Sequence, residues 1–467
     1  MGNVSSNPEQ TVEQSLRDCS ARRRVATTHY AHPVNEAEEF VMADDRTISA
    51  DTERTSKQTA KEFAKSRRGP ILGAIFLMAT SAIGPGFITQ TATFTFQMGA
   101  AFAFAILVSI IIDFAVQMNI WRIITVAGKR AGQLANEAVP GFGYVLGILI
   151  VIGGLAFNIG NIAGGGLGLN AMLGIDAKLG GIITGLLAIC IFLWKRAGRI
   201  VDIVVMVLGV GMIVLTVIMA IVSNPPVGDA LRQTVIPDNI NFATITTIVG
   251  GTVGGYITYA GAHRYLDSGL TGPDHVKAVS SASMNGILVT GIMRYVLFLA
   301  ILGVAAAGFT LDMADPDVNP AGAAFQYQMG EAGLRIFGVI FWAAAISSVI
   351  GAAYTSATFL SVFSKKLNDG WPLRIATVIF IAVSLVVYML WGAAPASILV
   401  FVGGFNGLIL PIGLTIFMYI GWFRQKDLLQ GYKYPVWLLV FGTLATALTW
   451  YMGAVSVVPI FEMITGA

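Results

Sequence analysis

The sequence predicts an all-α polytopic membrane protein in which two of the membrane helices are broken at mid-length. Three observations predict it. Apolar residues fill 55% of the 467 positions and charged residues only 12%, unlike the mix of a soluble domain. From Pro70 onward, apolar stretches of about 20 residues recur, the length that carries a helix across a hydrocarbon core. The first and the sixth of those stretches are interrupted by clustered glycine, the first also by proline.

Eleven spans are expected, near 70–96, 99–121, 141–168, 178–194, 200–222, 242–264, 285–307, 335–362, 373–391, 396–423 and 435–458. Basic residues alternate between the short loops, which sets orientation. Lys65, Arg67 and Arg68 precede the first span. Lys129 and Arg130 follow the second, Lys195, Arg196 and Arg199 the fourth, Lys365 and Lys366 the eighth, and Arg424, Lys426 and Lys433 the tenth. The intervening loops carry few, such as Lys178, Arg232 and Arg335. This pattern predicts a bacterial inner-membrane protein with a cytoplasmic amino terminus and an extracytoplasmic carboxyl terminus.

Residues 1–66 are polar and charged, with runs such as Arg22-Arg23-Arg24. They offer little to bury and are expected to form a disordered cytoplasmic tail ahead of a transporter domain over 67–467. The tail lacks the apolar core of a cleavable signal. Cys19 and Cys190 fall in the tail and in a span, which suggests neither a disulfide nor a metal site. No loop after residue 70 can hold a catalytic domain, so no enzyme and no cofactor are expected, and the net charge of +3 gives no reason to invoke nucleic acid.

The first interruption reads Ala82-Ile83-Gly84-Pro85-Gly86-Phe87-Ile88-Thr89-Gln90. Pro85 has no amide to donate and the flanking glycines favour irregular backbone. The second reads Gly250-Gly251-Thr252-Val253-Gly254-Gly255-Tyr256. A glycine in a membrane helix most often marks close packing. Two broken spans in corresponding positions are instead the mark of an inverted repeat with a substrate site at the midplane.

These motifs resemble the NRAMP family of proton-coupled divalent-metal transporters, and the similarity runs from about residue 70 to the end. Gly84-Pro85-Gly86-Phe87 stands where that family carries Asp-Pro-Gly-Asn, and Gly250 to Tyr256 aligns without a gap with its Gly-Ala-Thr-Val-Met-Pro-His. The stretches Asn319 to Phe325 and Ala345 to Gly351 look like its external loop and eighth helix. The resemblance implies the leucine-transporter fold, an inverted 5+5 repeat plus one extra helix. It also marks what is missing. The family's metal-binding Asp, Asn and Met correspond to Gly84, Phe87 and Gly254, its sixth-helix histidines to Tyr256 and Gly261, and the acidic pair of its proton path to Asn158 and Asn161.

A dehydrated transition metal needs charged or soft donors, and proton coupling needs titratable groups. Neither is offered at these positions, so proton-coupled transition-metal transport is not expected. Two helix starts with free amides and partial positive charge remain, flanked by Thr89, Gln90, Tyr256, Thr258 and Tyr259. With Gly84, Pro85, Gly86, Phe87, Gly254 and Gly255 they suit a small inorganic anion, bicarbonate first. In the leucine-transporter fold Na⁺ commonly sits between the first and eighth helices; here Ala82 and Ile83 carbonyls with Ser347 and Ser348 are the candidate ligands, although serines in membrane helices often bond their own backbone. Asp113 and Arg294 are expensive in lipid and are expected to pair or, for Arg294, to attract an anion. Asn406 is expected to line the path or to bridge helices. The runner-up is a transporter of a hydrated divalent cation such as Mg²⁺; a transport-inactive sensor or scaffold is the reading of a different class.

Overall fold

The computed structural model describes residues 84–194, 197–311, 318–368, 370–391 and 394–465. The expected tail over 1–66, the first half of the first span, and Ala82 and Ile83 lie outside the described residues. Among those described, all regular elements are helical. In chain order they are α1 (Pro85–Met98), α2 (Phe102–Ala127), α3 (Ala131–Ala138), α4 (Phe142–Leu173), α5 (Ala177–Leu193), α6 (Ala197–Val222) and α7 (Val227–Val235). Then follow α8 (Phe242–Val253), α9 (Ile257–Asp267), α10 (Val276–Ala306), α11 (Pro320–Phe359), α12 (Gly370–Leu390), α13 (Pro395–Phe423) and α14 (Val436–Thr465).

Among the described residues a helix lies in at least part of each expected position, but by length and composition seven spans qualify, or eight if one bent pair counts as a span. The difference has local causes. The short segment 99–101 leaves α1 and α2 as one continuous run, α5 has only 17 residues, and the sixth span is the broken pair α8–α9. The fifth continues past its expected end, because α6 turns through 110° into α7. The turn is Asn224-Pro225-Pro226, with Asn224 at φ +48°; neither proline can donate to a continuing helix.

Local signals set the other ends. α4 stops at left-handed Gly174, whose N–H donates to the Asn170 carbonyl at 2.7 Å. The Asp176 carboxylate accepts from the Leu179 amide at 2.8 Å to cap α5. Asn319 does the same for α11 through the Gly322 amide, ahead of Pro320. Within α11, Gly330 leaves helical geometry at φ +66°, so the expected start near 335 lies just past a real kink.

The broken helices are the most enclosed. In α1, Pro85 through Thr95 are buried, and in α8 so is everything from Ala243 to Val253. α4 packs along α11, and α8 along α13. The α8–α13 contact is backbone on backbone: a Cβ on Gly250 would overlap the Gly403 carbonyl and the Gly407 amide. Small residues permit such an approach where lipid supplies no hydrophobic drive. The outward faces of α6, α12 and α14 are apolar and open, with Ile221, Leu390 and Val458 exposed, as a bilayer-facing surface must be.

Candidate functional site

α1 begins inside the protein. Gly84 is its extended N-cap (φ −79°, ψ −178°) and Pro85 its first residue, and no side chain caps the start. The first-turn amides of Gly86 and Phe87 therefore have no partner within the helix. Close packing holds this start in place, since a Cβ on Gly164 of α4 would overlap the Pro85 ring.

The second break is built from two glycines with different tasks. Gly254 ends α8 in an extended conformation (φ −76°, ψ 162°), and Gly255 follows at φ +54°. Tyr256 then caps α9. Gly255 also meets a neighbour: a Cβ there would overlap the Asn406 amide oxygen. Asn406 itself donates to the Gly153 carbonyl at 3.1 Å and to the Val402 carbonyl at 2.9 Å. It therefore ties α13 to α4 while bracing the break.

The expected site residues divide into two groups. Thr89 and Thr258 are buried with hydroxyls that find no partner among the described residues. Tyr256 packs edge-on to Phe157, with ring centroids 5.3 Å apart, and its hydroxyl faces Asn161. The Asn161 side-chain amide nitrogen has no partner, and Asn158 donates to the Ser384 hydroxyl at 3.1 Å while its own oxygen stays unpaired. The second group serves the scaffold. Gln90 donates to the Leu399 carbonyl at 2.9 Å and lies between Gly251 and Gly403, so it joins α1 to α8 and α13. Tyr259 sits in an aromatic cluster with Phe359, Phe417 and His263. Ser347 donates to the Ala344 carbonyl of its own turn at 3.1 Å, whereas the buried Ser348 hydroxyl has no partner. Ala82 and Ile83 fall outside the described residues.

The charges are arranged differently from the pairing expected of them. Arg294 on α10 is only 2% exposed, and its guanidinium lies over the Phe87 ring, 4.2 Å from the centroid. Among the described residues its Nε and Nη2 have no hydrogen-bond partner. Asp113 on α2 is 4% exposed and accepts from the Thr252 hydroxyl at 3.0 Å, one turn before the α8 break. The two charges feel each other, but among the described residues no ion pair within 4.0 Å joins them. The Arg294–Phe87 contact was not foreseen; the available signal was a lone arginine in the middle of an apolar span.

Among the described residues the unpaired groups here are of both kinds: the Asn161 amide nitrogen and two Arg294 guanidinium N–H groups donate, the Gln90, Asn158 and Asn406 side-chain oxygens accept, and the Thr89 and Thr258 hydroxyls can do either. A buried donor left unpaired costs roughly 1–3 kcal/mol, and more when it is charged. For the charged guanidinium donors, an acceptor with negative charge relieves that cost and a metal cation does not.

The model of the natural resistance-associated macrophage protein-like family matches residues 75–459. The chain is 49% identical over 383 residues to uncharacterized membrane protein YcsG of Bacillus subtilis, covering 82% of this chain and 93% of that one. Among solved structures, it is similar to the manganese transporter of Eremococcus coleocola, with a TM-score of 0.64, 16% identity, and coverage of 84% and 86% of the two chains. It is also similar to MhsT in complex with L-phenylalanine, with a TM-score of 0.57, 15% identity, and coverage of 84% and 98%.

Proposed function

The chain belongs to the natural resistance-associated macrophage protein-like (Nramp) family and is a secondary transporter of the leucine-transporter fold; on that premise we propose that its cargo is a small anion instead of a metal cation. One observation carries the reading. Where a metal transporter concentrates negative and soft ligands, this chain holds a buried guanidinium over Phe87, with two donors unpaired. Gly84, Phe87 and Gly254 supply no side-chain ligand for Mn²⁺. Among the described residues, no three His, Cys, Asp or Glu side chains come together.

Bicarbonate is the preferred cargo. A guanidinium presents its N–H groups in one plane and can hold two oxygens of one oxyanion at once, which a spherical ion cannot offer. The α1 and α9 starts add partial positive charge, and Thr89 and Thr258 add hydroxyls. Small carboxylates share the same planar pair of oxygens and are the natural competitors. The anion binds between α1 and the α8–α9 break and is moved by alternating access. Na⁺ coupling would rest on the free Ser348 hydroxyl, since Ser347 is committed to its own helix. The alternation of basic loops supports an orientation with the amino terminus in the cytoplasm of a bacterial inner membrane and the carboxyl terminus outside.

The second reading, a hydrated divalent cation such as Mg²⁺, draws on Asp113, a buried carboxylate beside the break. A hydrated ion can be held through its waters by such a group. Arg294 opposes it by Coulomb repulsion.

The deciding experiment is uptake into proteoliposomes of labelled bicarbonate, formate and acetate, with and without a Na⁺ gradient, beside Mn²⁺ and Mg²⁺. Saturable anion uptake that Arg294→Gln lowers about ten-fold or more supports the proposal. Saturable Mn²⁺ or Mg²⁺ uptake with no anion uptake ends it.

A further inference from the structure

Away from the broken helices, three elements enclose a cleft of about 620 Å³. Its walls are Arg122 near the end of α2, the first turns of α10 with Lys277 and Ser280, and Tyr432 before α14. Val276 and Met284 give the floor an apolar side. No acidic side chain lines it among the described residues; Asp274 is nearby in sequence but not part of the wall.

Arg122 is the unusual member. It is 8% exposed, its Nη2 donates to the Ser280 hydroxyl at 2.9 Å, and its guanidinium faces the Tyr434 ring at 5.7 Å. Among the described residues its Nε has no partner, and whereas Arg130, Arg232, Arg335 and Arg424 each meet a carboxylate, Arg122 meets none of the described ones within 4.0 Å. A buried cation without a counter-charge is costly, and the amino-terminal turn of a 31-residue helix adds more positive potential to the same place.

Two further features select the ligand. The cleft shares its end of the bundle with the basic loops at 129–130, 365–366 and 424–433, the end that faces anionic lipid by the positive-inside rule. From its rim, Met284, Leu288 and Ile292 continue along α10 as an exposed stripe at four-residue spacing, a track on which an acyl chain can lie. We propose that this cleft binds the headgroup of an anionic phospholipid, with the phosphate on Arg122 and Lys277 and an acyl chain along the α10 stripe. The proposal is independent of the transported substrate.

The test is the melting midpoint of the full chain in detergent, titrated with phosphatidylglycerol, phosphatidylcholine or inorganic phosphate. Phosphatidylglycerol is expected to raise the midpoint saturably and the other two to leave it unmoved. Lys277→Gln should weaken the apparent phosphatidylglycerol affinity about five-fold, the share of one basic residue near a membrane. Arg122→Gln with Lys277→Gln should abolish the shift. Lys365→Gln with Lys366→Gln removes equal charge away from the cleft and should change nothing. If the Arg122 variant does not fold, Lys277→Glu decides, since charge reversal must weaken binding more than Lys277→Gln does. An equal shift with phosphatidylcholine, an equal shift with inorganic phosphate, or equal losses in the Lys365–Lys366 control each overturns the proposal.

Discussion

Arg294 has two neighbours, and they ask different things of it. Phe87 gives it a ring face, an attraction of about 0.5–2 kcal/mol that leaves the guanidinium edge free. Asp113 sits close enough to be felt but too far to bond. Replacing Arg294 with Gln should remove charge-assisted hydrogen bonds of about 1.5–3 kcal/mol and lower anion uptake about ten- to hundred-fold. Arg294→Lys keeps the charge but loses the planar fork, so its uptake should fall between the two; equal rates for all three proteins would remove Arg294 from the site. The Asp113 relation is testable separately, because removing one charge strands the other in a buried place. Asp113→Asn and Arg294→Gln should each lower the melting midpoint, and the double variant should lose less than the sum. A coupling of about 0.5–3 kcal/mol is expected, and strict additivity would show that the charges ignore each other. The Asp113–Arg294 relation was expected from the sequence as a pairing, whereas the Arg294–Phe87 contact was not legible there. Periodicity places Asp113 and Arg294 inside spans, but which turn of α10 lies against which turn of α1 is set by packing between residues about 200 positions apart. The α1 start and the α8–α9 break were legible, because Gly-Pro-Gly and Gly254-Gly255 act through local backbone chemistry that needs no partner.

The elements differ in how much change their glycines tolerate. Gly255 combines a left-handed φ of +54° with the Asn406 side chain at its missing Cβ. Gly255→Ala should cost about 1–2 kcal/mol from the backbone alone, with the overlap added. Asn406→Gly in the same background should recover the second part and not the first, read as a partial return of the melting midpoint. No recovery would mean that Asn406 does not brace the break. The α8–α13 seam is less forgiving, because a Cβ on Gly250 meets only backbone, which cannot rotate away. Gly250→Ala should reduce folded yield sharply. Gly228→Ala on α7, where the site is open and φ is ordinary, should be neutral or slightly favourable. The sequence showed glycines clustered in both α8 and α13, yet could not say which face each packs. The α6–α7 bend and the Gly330 kink escaped for a related reason: a helix end is written locally, but whether a second helix restarts beyond it depends on what that helix can pack against.

For the whole molecule to work by alternating access, the half-helix α9 has to be held in one arrangement and released in another. Its far end carries the holding contacts. Asp267 pairs with Arg130 at 2.8 Å and accepts from the Tyr354 hydroxyl at 3.3 Å, and Arg130 also donates to the Asn368 side chain at 3.1 Å. One turn earlier the His263 imidazole accepts from the Ala131 amide at 3.2 Å. These contacts fasten α9 to α3, to α11 and to the segment before α12, all at the basic end of the bundle. Arg130 is largely buried, so its pair with Asp267 is screened less than a surface pair would be. If it contributes about 1 kcal/mol to the latched arrangement, losing it shifts the balance about five-fold toward the open one. Asp267→Asn should therefore raise the rate at which a thiol at Ala262→Cys, buried on α9, is labelled from the basic side. The background is Cys19→Ser with Cys190→Ser. Anion transport should persist, since no substrate contact is touched, while its rate changes with the altered balance. A labelling rate unchanged by Asp267→Asn, with the protein still transporting, would show that α9 is not latched at this end and that the breaks at Gly84 and Gly255 serve binding without serving motion.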